Sequence, residues 1–106
     1  MAQTYKEADI QKAILGYLRY KGYVVWKNRA VGIFKQSTGR YIPIPKEERG
    51  VSDLIGLTHN GIMFAIEVKM PKKKLTSWQQ EFLDKVHASN GIAIVAHSID
   101  DVAEIL

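Results

Sequence analysis

Residues 50–57 read GVSDLIGL and residues 64–70 read FAIEVKM, and a turn, THNG at residues 58–61, stands between them. Each run is rich in the apolar residues that strands bury, and Asn-Gly is typical of the tight loop that closes a β-hairpin. The sequence therefore predicts a hairpin with strands Val51–Leu57 and Ile62–Met70. The rest of the fold is predicted outward from this hairpin.

Charged residues interrupt the apolar pattern of both strands: Asp53 in the first, and Glu67 with Lys69 in the second. Charges at such positions indicate a functional site. Glu67 and Lys69 are two positions apart, so they face the same side of the sheet. Whether Asp53 joins them depends on the loop. A three-residue loop, His59 to Gly61 with Gly61 left-handed, pairs position 53 with 67, whereas a two-residue loop turns Asp53 to the opposite face.

Two carboxylates paired in this way would lie about 5 Å apart at Cβ, and they destabilise a strand pair unless something neutralises them. Mg²⁺ or Mn²⁺ would do so, since hard cations prefer oxygen ligands. The main-chain carbonyl of Val68 is a candidate for a further ligand. Lys69 would then hold an attacking water or stabilise negative charge on a phosphoryl group. The alternative, that Lys69 only pairs with Asp53 and Glu67, remains open from spacing alone.

The flanking chain predicts a mixed sheet with helices on its faces, in the order α-β-β-β-α-β-α. A first helix ends at Gly22 and is followed by a strand at Tyr23–Trp26. A short edge strand is predicted at Arg40–Ile42. A helix capped by Thr76 or Ser77 and closed at Asn90-Gly91 follows the hairpin, with Trp78 on its core face. The chain then forms a strand at Ile92–Ala96 that is buried on both faces, and a last short helix from Ser98.

Two polar residues fall on predicted core-facing helix positions. Glu7 lies three positions before Ile10, and Gln79 lies three before Phe82. Each is also the fourth residue of a Thr-x-x-Glu/Gln capping box, which would explain either one alone. Because the chain also buries Asp53 and Glu67, we expect both to belong to the same site.

Composition favours one domain over residues 1–106, without disulfides or thiolate metal sites because cysteine is absent. The chain has neither an apolar run long enough for a membrane span nor a signal-peptide pattern, so we expect a soluble, cytoplasmic protein. Residues 1–80 carry a charge balance of +8 and residues 81–106 a balance of −4. A basic body of this kind fits a polyanionic partner, although a solvated basic surface would look the same.

Four segments occur in the order found in one nuclease family: EADIQ at residues 7–11, GVSDLIGL, FAIEVKMP at residues 64–71, and LTSWQQEFL at residues 75–83. With these segments the chain resembles the small VRR-NUC branch of the PD-(D/E)xK nucleases, whose core is restriction-endonuclease-like. Only Asn28–Arg49 matches poorly, and Ser52 stands where the superfamily motif has Pro.

The resemblance implies a metal-dependent phosphodiesterase that acts on DNA. Asp53 and Glu67 would be the metal ligands, Lys69 the catalytic lysine, Glu7 an acid completing the site, in some cases through water, and Gln79 a support for the lysine or the nucleophilic water. Similar stand-alone proteins, often phage or bacterial, act as homodimers on branched DNA such as four-way junctions in bacterial or phage-infected cells. The competing interpretations are a nuclease-fold DNA-binding module without catalysis and a nicking or restriction-type endonuclease.

Basic residues outside this site are predicted to contact the DNA backbone rather than bases. These residues are Lys27, Arg29, Lys35, Arg40, Lys46, Arg49, Lys72, Lys73 and Lys74. Phe34 or Tyr41 could wedge into a junction, but packing in the core or within a hairpin is the favoured role. The three histidines, His59, His87 and His97, lack the spacing of metal ligands, and we expect none of them to be catalytic.

Overall fold

A four-stranded mixed sheet with helices on both faces forms the centre of the computed structural model, which describes residues 6–29 and 32–106. The strand order is β1-β4-β5-β6, with β1, β4 and β5 antiparallel and β6 parallel to β5. The elements in chain order are α1 (Glu7–Tyr20), β1 (Val24–Lys27), β2 (Ile33–Lys35), β3 (Arg40–Ile42), a 3₁₀ turn (Lys46–Glu48), β4 (Leu54–Leu57), β5 (Met63–Val68), α2 (Ser77–Ala88), β6 (Ile92–Ala96) and α3 (Ile99–Ala103). This is the predicted restriction-endonuclease-like α/β core, with one additional hairpin.

Alternation along β5 separates two apolar cores on the two faces of the sheet. Phe64, Ile66 and Val68 are fully buried on the face covered by α1 and α3. Ala65 faces the other way, into a smaller cluster with Leu83 of α2. Glu67 therefore belongs to the face covered by α2, and this alternation decides which helix can reach it.

The register of the central hairpin selects the three-residue loop, the alternative that pairs position 53 with position 67. Leu54 pairs with Ile66 and Leu57 with Met63. The Thr58 amide donates to the Ile62 carbonyl at 2.8 Å, which closes the loop. Gly61 has φ +84°, the left-handed conformation that glycine adopts without steric cost. Continued by one residue, this register places Asp53 opposite Glu67, as predicted.

The helix termini confirm one predicted cap and correct another. Thr76 caps α2, and its hydroxyl oxygen accepts a hydrogen bond of 3.2 Å from the backbone N–H of Gln79. Helix α1 begins at Glu7 with Lys6 as N-cap, so Glu7 is not the fourth residue of a capping box; the Asp9 carboxylate accepts from the Lys6 amide instead. The predicted partner, Thr4, lies outside the described residues.

Three further expectations differ from the structure. The predicted edge strand at Arg40–Ile42 is β3, but it pairs with β2, which the sequence pattern did not indicate. Strand β6 is not buried on both faces: it is an edge strand, and Val95 remains 38% exposed. Trp78 is likewise 38% exposed rather than part of the core, because it lies on the flank of α2 beneath Arg49.

Within the described ranges, no helix combines the length and the apolar character needed to cross a membrane.

Candidate active site

Asp53 and Glu67 meet at the end of the central hairpin, on the sheet face that carries α2. Asp53 directly precedes β4, and its Oδ2 accepts a hydrogen bond of 2.8 Å from the Val68 amide. The backbone N–H of Asn28 donates a hydrogen bond of 2.8 Å to the backbone carbonyl of Asp53. This bond connects the residue before β4 to the end of β1. Backbone contacts on two sides therefore fix the Asp53 carboxylate beside Glu67.

The Glu67 side chain is only 2% exposed. Its Oε1 accepts a hydrogen bond of 2.9 Å from Nε2 of Gln79, whose Oε1 in turn accepts from the Thr76 amide at 2.9 Å. Glu67 Oε2 is buried and has no hydrogen-bond partner within the part of the chain that the structure describes. A buried carboxylate oxygen without a donor is costly, so this atom marks a position for a proton or a cation.

The pKa of Glu67 is raised from 4.5 to about 8. Burial is the largest cause, followed by the negative charge of Asp53 and by the hydrogen bond that becomes possible between the two carboxyl groups when Glu67 is protonated. The Lys69 charge acts in the opposite direction and is smaller in effect. At neutral pH Glu67 therefore keeps a proton, unless a cation takes its place.

Lys69 lies on the same face of the chain as Glu67, two residues further on. Among the described residues its ammonium forms no ion pair within 4.0 Å. This geometry disfavours the alternative that Lys69 only pairs with Asp53 and Glu67. The ammonium is close enough to lower the Glu67 pKa, yet it is not engaged by either carboxylate.

His97 contacts the backbone of Lys69, a connection that the sequence did not reveal. Its Nδ1 lies 2.7 Å from the Lys69 carbonyl oxygen, and the Lys69 amide donates to the Ala96 carbonyl at 3.0 Å. Because a carbonyl only accepts, Nδ1 carries the proton in this contact. The spacing of the histidines in the sequence does not predict this contact, since the contact depends on the pairing of β5 with β6.

Glu7 stands apart from the other acids. Its charge contributes to the raised pKa of Glu67, so it lies within electrostatic range. However, in residues 6–29 and 32–106 no group of three or more His, Asp or Glu side chains is arranged to hold a metal ion. Helix α1 covers the opposite face of the sheet from Glu67. The structure therefore places Glu7 within range of the Glu67 charge but not in a ligand group with Asp53 and Glu67 among the described residues.

The backbone of Val68 lies beside Asp53, and strand geometry indicates the direction of its carbonyl. In a strand, the N–H and C=O of one residue project to the same side, because antiparallel pairs exchange both bonds. The Val68 N–H is donated to Asp53, so its carbonyl is directed to that side as well. With Asp53 and Glu67 this gives a donor set made only of oxygens, two of them carboxylates, which fits Mg²⁺ or Mn²⁺.

The predicted DNA-contacting residues occupy several surfaces around this site. Lys27 and Arg29 line a cavity of about 250 Å³ next to Leu54, together with Lys12, a residue that the sequence analysis missed. No acidic side chain lines this cavity in the described structure. Lys12 falls on the exposed side of an amphipathic helix, where basic residues are common. Only the position of β1 in the fold shows that Lys12 lies near Lys27 and Arg29.

The other basic residues are exposed, and one of them has an aromatic partner. The Arg49 guanidinium lies 5.5 Å from the centre of the Trp78 ring, a cation–π contact. Lys46 and Arg49 border a second cavity, which also contains Glu47 and Glu81. The basic run after β5, residues 72–74, is fully on the surface. Lys35 and Arg40 lie on the separate β2–β3 hairpin.

The family model of the VRR-NUC domain matches residues 24–100. The chain belongs to the VRR-NUC family. It is therefore a nuclease-type domain, a hydrolytic enzyme class for which DNA is the substrate. The match contains Asp53, Glu67, Lys69 and Gln79, whereas Glu7 precedes it. No curated protein matches the chain.

Proposed function

We propose that this VRR-NUC protein is a metal-dependent DNA endonuclease. Its active site, formed by Asp53, Glu67 and Lys69, would hydrolyse the phosphodiester bonds of DNA. The observation that carries the proposal is the hairpin register, which sets the two carboxylates opposite each other. Lys69 follows on the same face, and its ammonium forms no ion pair within the described ranges. The orphaned Oε2 of Glu67 supports a cation at this position.

Asp53, Glu67 and the Val68 carbonyl would hold Mg²⁺ or Mn²⁺, with Glu7 contributing through water. When bound, the cation would lower the pKa of a water molecule and offset charge on the phosphoryl group. Lys69 would donate to a phosphate oxygen as negative charge develops there. Gln79 would fix the Glu67 carboxylate through its Nε2 hydrogen bond, and His97 would hold the backbone that carries Lys69.

Branched DNA, such as a four-way junction, is the substrate that we propose. A domain of 12.0 kDa has little surface for reading a base sequence in addition to its active site. Symmetric cleavage of a four-way junction requires two active sites, so we further propose that the protein acts as a homodimer. Its basic residues would contact the DNA backbone, which carries no sequence information.

The test is cleavage of four matched DNA substrates: a four-way junction, a flap, a duplex and a single strand, each with Mn²⁺, Mg²⁺ or EDTA. We expect cleavage of the junction in Mn²⁺ or Mg²⁺ and none in EDTA. Asp53→Asn serves as the inactive control. Equal cleavage of all four substrates would refute structure selectivity, and cleavage in EDTA would refute the metal site. Binding without any cleavage would instead favour the DNA-binding module.

A further inference from the structure

The β2–β3 hairpin stands apart from the sheet that forms the active site. Its strands pair through Ile33–Ile42, Phe34–Tyr41 and Lys35–Arg40. In the described part of the chain, the principal contacts of β2 and β3 are with each other rather than with a helix or the four-stranded sheet. A two-stranded hairpin on its own is marginally stable in water, so a hairpin retained in this form is expected to have a partner.

The two faces of this hairpin differ chemically, since side chains alternate across a strand. Phe34 and Tyr41 form a cross-strand pair on one face and are 59% and 63% exposed. Of the two roles favoured from the sequence, packing within a hairpin agrees with this pairing, and neither ring lies in the core. The Tyr41 ring lies across Gly32, where a Cβ atom would overlap the phenol. Lys35 and Arg40 form the next pair and lie on the opposite face.

Charge identifies the kind of partner. Residues 27–46 contain five basic residues and no Asp or Glu. An exposed aromatic pair on a segment whose charged residues are all basic is complementary to nucleic acid, which offers stacking bases and phosphates together. The same charge opposes packing of this hairpin against its counterpart in a second copy of the chain.

We propose that the β2–β3 hairpin is a DNA-binding arm whose aromatic face, Phe34 and Tyr41, stacks on unpaired or unstacked bases, while Lys35 and Arg40 contact a neighbouring phosphate. The proposal rests on DNA being the substrate. In a continuous duplex the faces of the bases are covered by their neighbours. Branch points, ends and single strands expose them, so the arm gives the protein its preference for branched DNA.

The experiment measures affinity without cleavage, by fluorescence anisotropy in EDTA, for a four-way junction and a duplex of the same sequence. The variants are Phe34→Ala and Tyr41→Ala, and Tyr20→Ala is the matched control because Tyr20 is 91% exposed on α1. Base–aromatic stacking corresponds to roughly 5- to 150-fold in affinity per base. We expect each arm variant to lose junction affinity in that range and duplex affinity by less than about twofold.

A second readout is the fluorescence of 2-aminopurine at the centre of the junction, which stacking quenches. Wild-type protein and Tyr20→Ala should quench it, and the two arm variants should not. The proposal is overturned if wild-type protein binds junction and duplex equally, if the arm variants leave the junction-to-duplex ratio unchanged, or if they alter dimerisation in sedimentation without altering that ratio. Circular dichroism checks that each variant folds. Absence of cleavage by wild-type protein would refute the proposed catalysis but leave this binding test valid.

Discussion

Replacing Glu67 by Gln should stabilise the metal-free protein while it removes nuclease activity. Burial, and then the charge of Asp53, raises the pKa of Glu67 from 4.5 to about 8. Between these values the folded protein keeps a proton on Glu67 that the unfolded chain releases. The free energy of unfolding therefore falls as the pH rises through this window. Glutamine carries no charge at any pH, so Glu67→Gln escapes this loss.

The magnitude follows from linkage between proton binding and folding. For a pKa of 4.5 in the unfolded chain and about 8 in the folded protein, the loss is about 1 kcal/mol at pH 5, about 3 at pH 7 and about 4 at pH 8. The amide of glutamine can still accept from Gln79 through Oε1, and its NH₂ can donate to Asp53. For a domain of this size, the melting temperature should rise by roughly 10–20 °C at pH 8.

The assay is thermal unfolding in EDTA at pH 5 to 8, followed by circular dichroism. Glu104→Gln, at an exposed position, is the matched control and should show no gain. The gap between Glu67→Gln and wild type should widen as the pH rises. Mn²⁺ should narrow it at pH 8, because a ligand that binds only the folded wild type stabilises it. A variant that is less stable than wild type at every pH, or a gap that does not depend on pH, would refute the argument.

Three further predictions concern the same site. Lys69→Ala should reduce the cleavage rate by about 100-fold or more, while its affinity for the junction in EDTA should stay within about twofold of wild type. Cleavage at the wild-type rate would show that Lys69 has no catalytic role. Mn²⁺ affinity, measured by calorimetry, should rise with pH up to about 8 and binding should release a proton, because the cation displaces the proton of Glu67; affinity independent of pH from 6 to 8 would contradict this. Gln79→Ala should cost about 1–3 kcal/mol in urea unfolding, since it removes the side-chain oxygen that accepts from the Thr76 backbone N–H and the donor to Glu67. Gln80→Ala, one residue on, should cost less than about 1 kcal/mol.

The central hairpin and its loop could be predicted from sequence because local chemistry determines them. Gly61 permits the left-handed turn, and the alternation of apolar residues sets the register. The same logic identified Thr76 as one of two candidate caps, with Ser77, and Glu67 with Lys69 as members of one face. These features require only neighbours in the chain or across a tight turn.

Features that depend on distant contacts were not predictable. The contact of His97 with the Lys69 carbonyl requires β6 to lie beside β5, and the spacing of the histidines contains no sign of it. The cation–π contact of Trp78 is with Arg49, which approaches from a loop before β4 and is distant in sequence. Pairing of β2 with β3 was missed since a three-residue strand among glycines and prolines gives almost no periodic signal.

The fold holds the two carboxylates together against their repulsion because the register that pairs them also buries the core. A slip of one residue would turn Leu54 or its partner Ile66 toward the opposite face, although both are now fully buried. Burying such a side chain contributes about 1.5–3 kcal/mol, and Phe64 and Val68 would be affected as well. If β5 turns over, its three such residues together lose roughly 5–9 kcal/mol, more than the roughly 4 kcal/mol that ionised Glu67 costs at pH 8. The apolar residues on one face of the hairpin therefore keep an unfavourable acidic pair in place on the other, where a proton or a cation can relieve it.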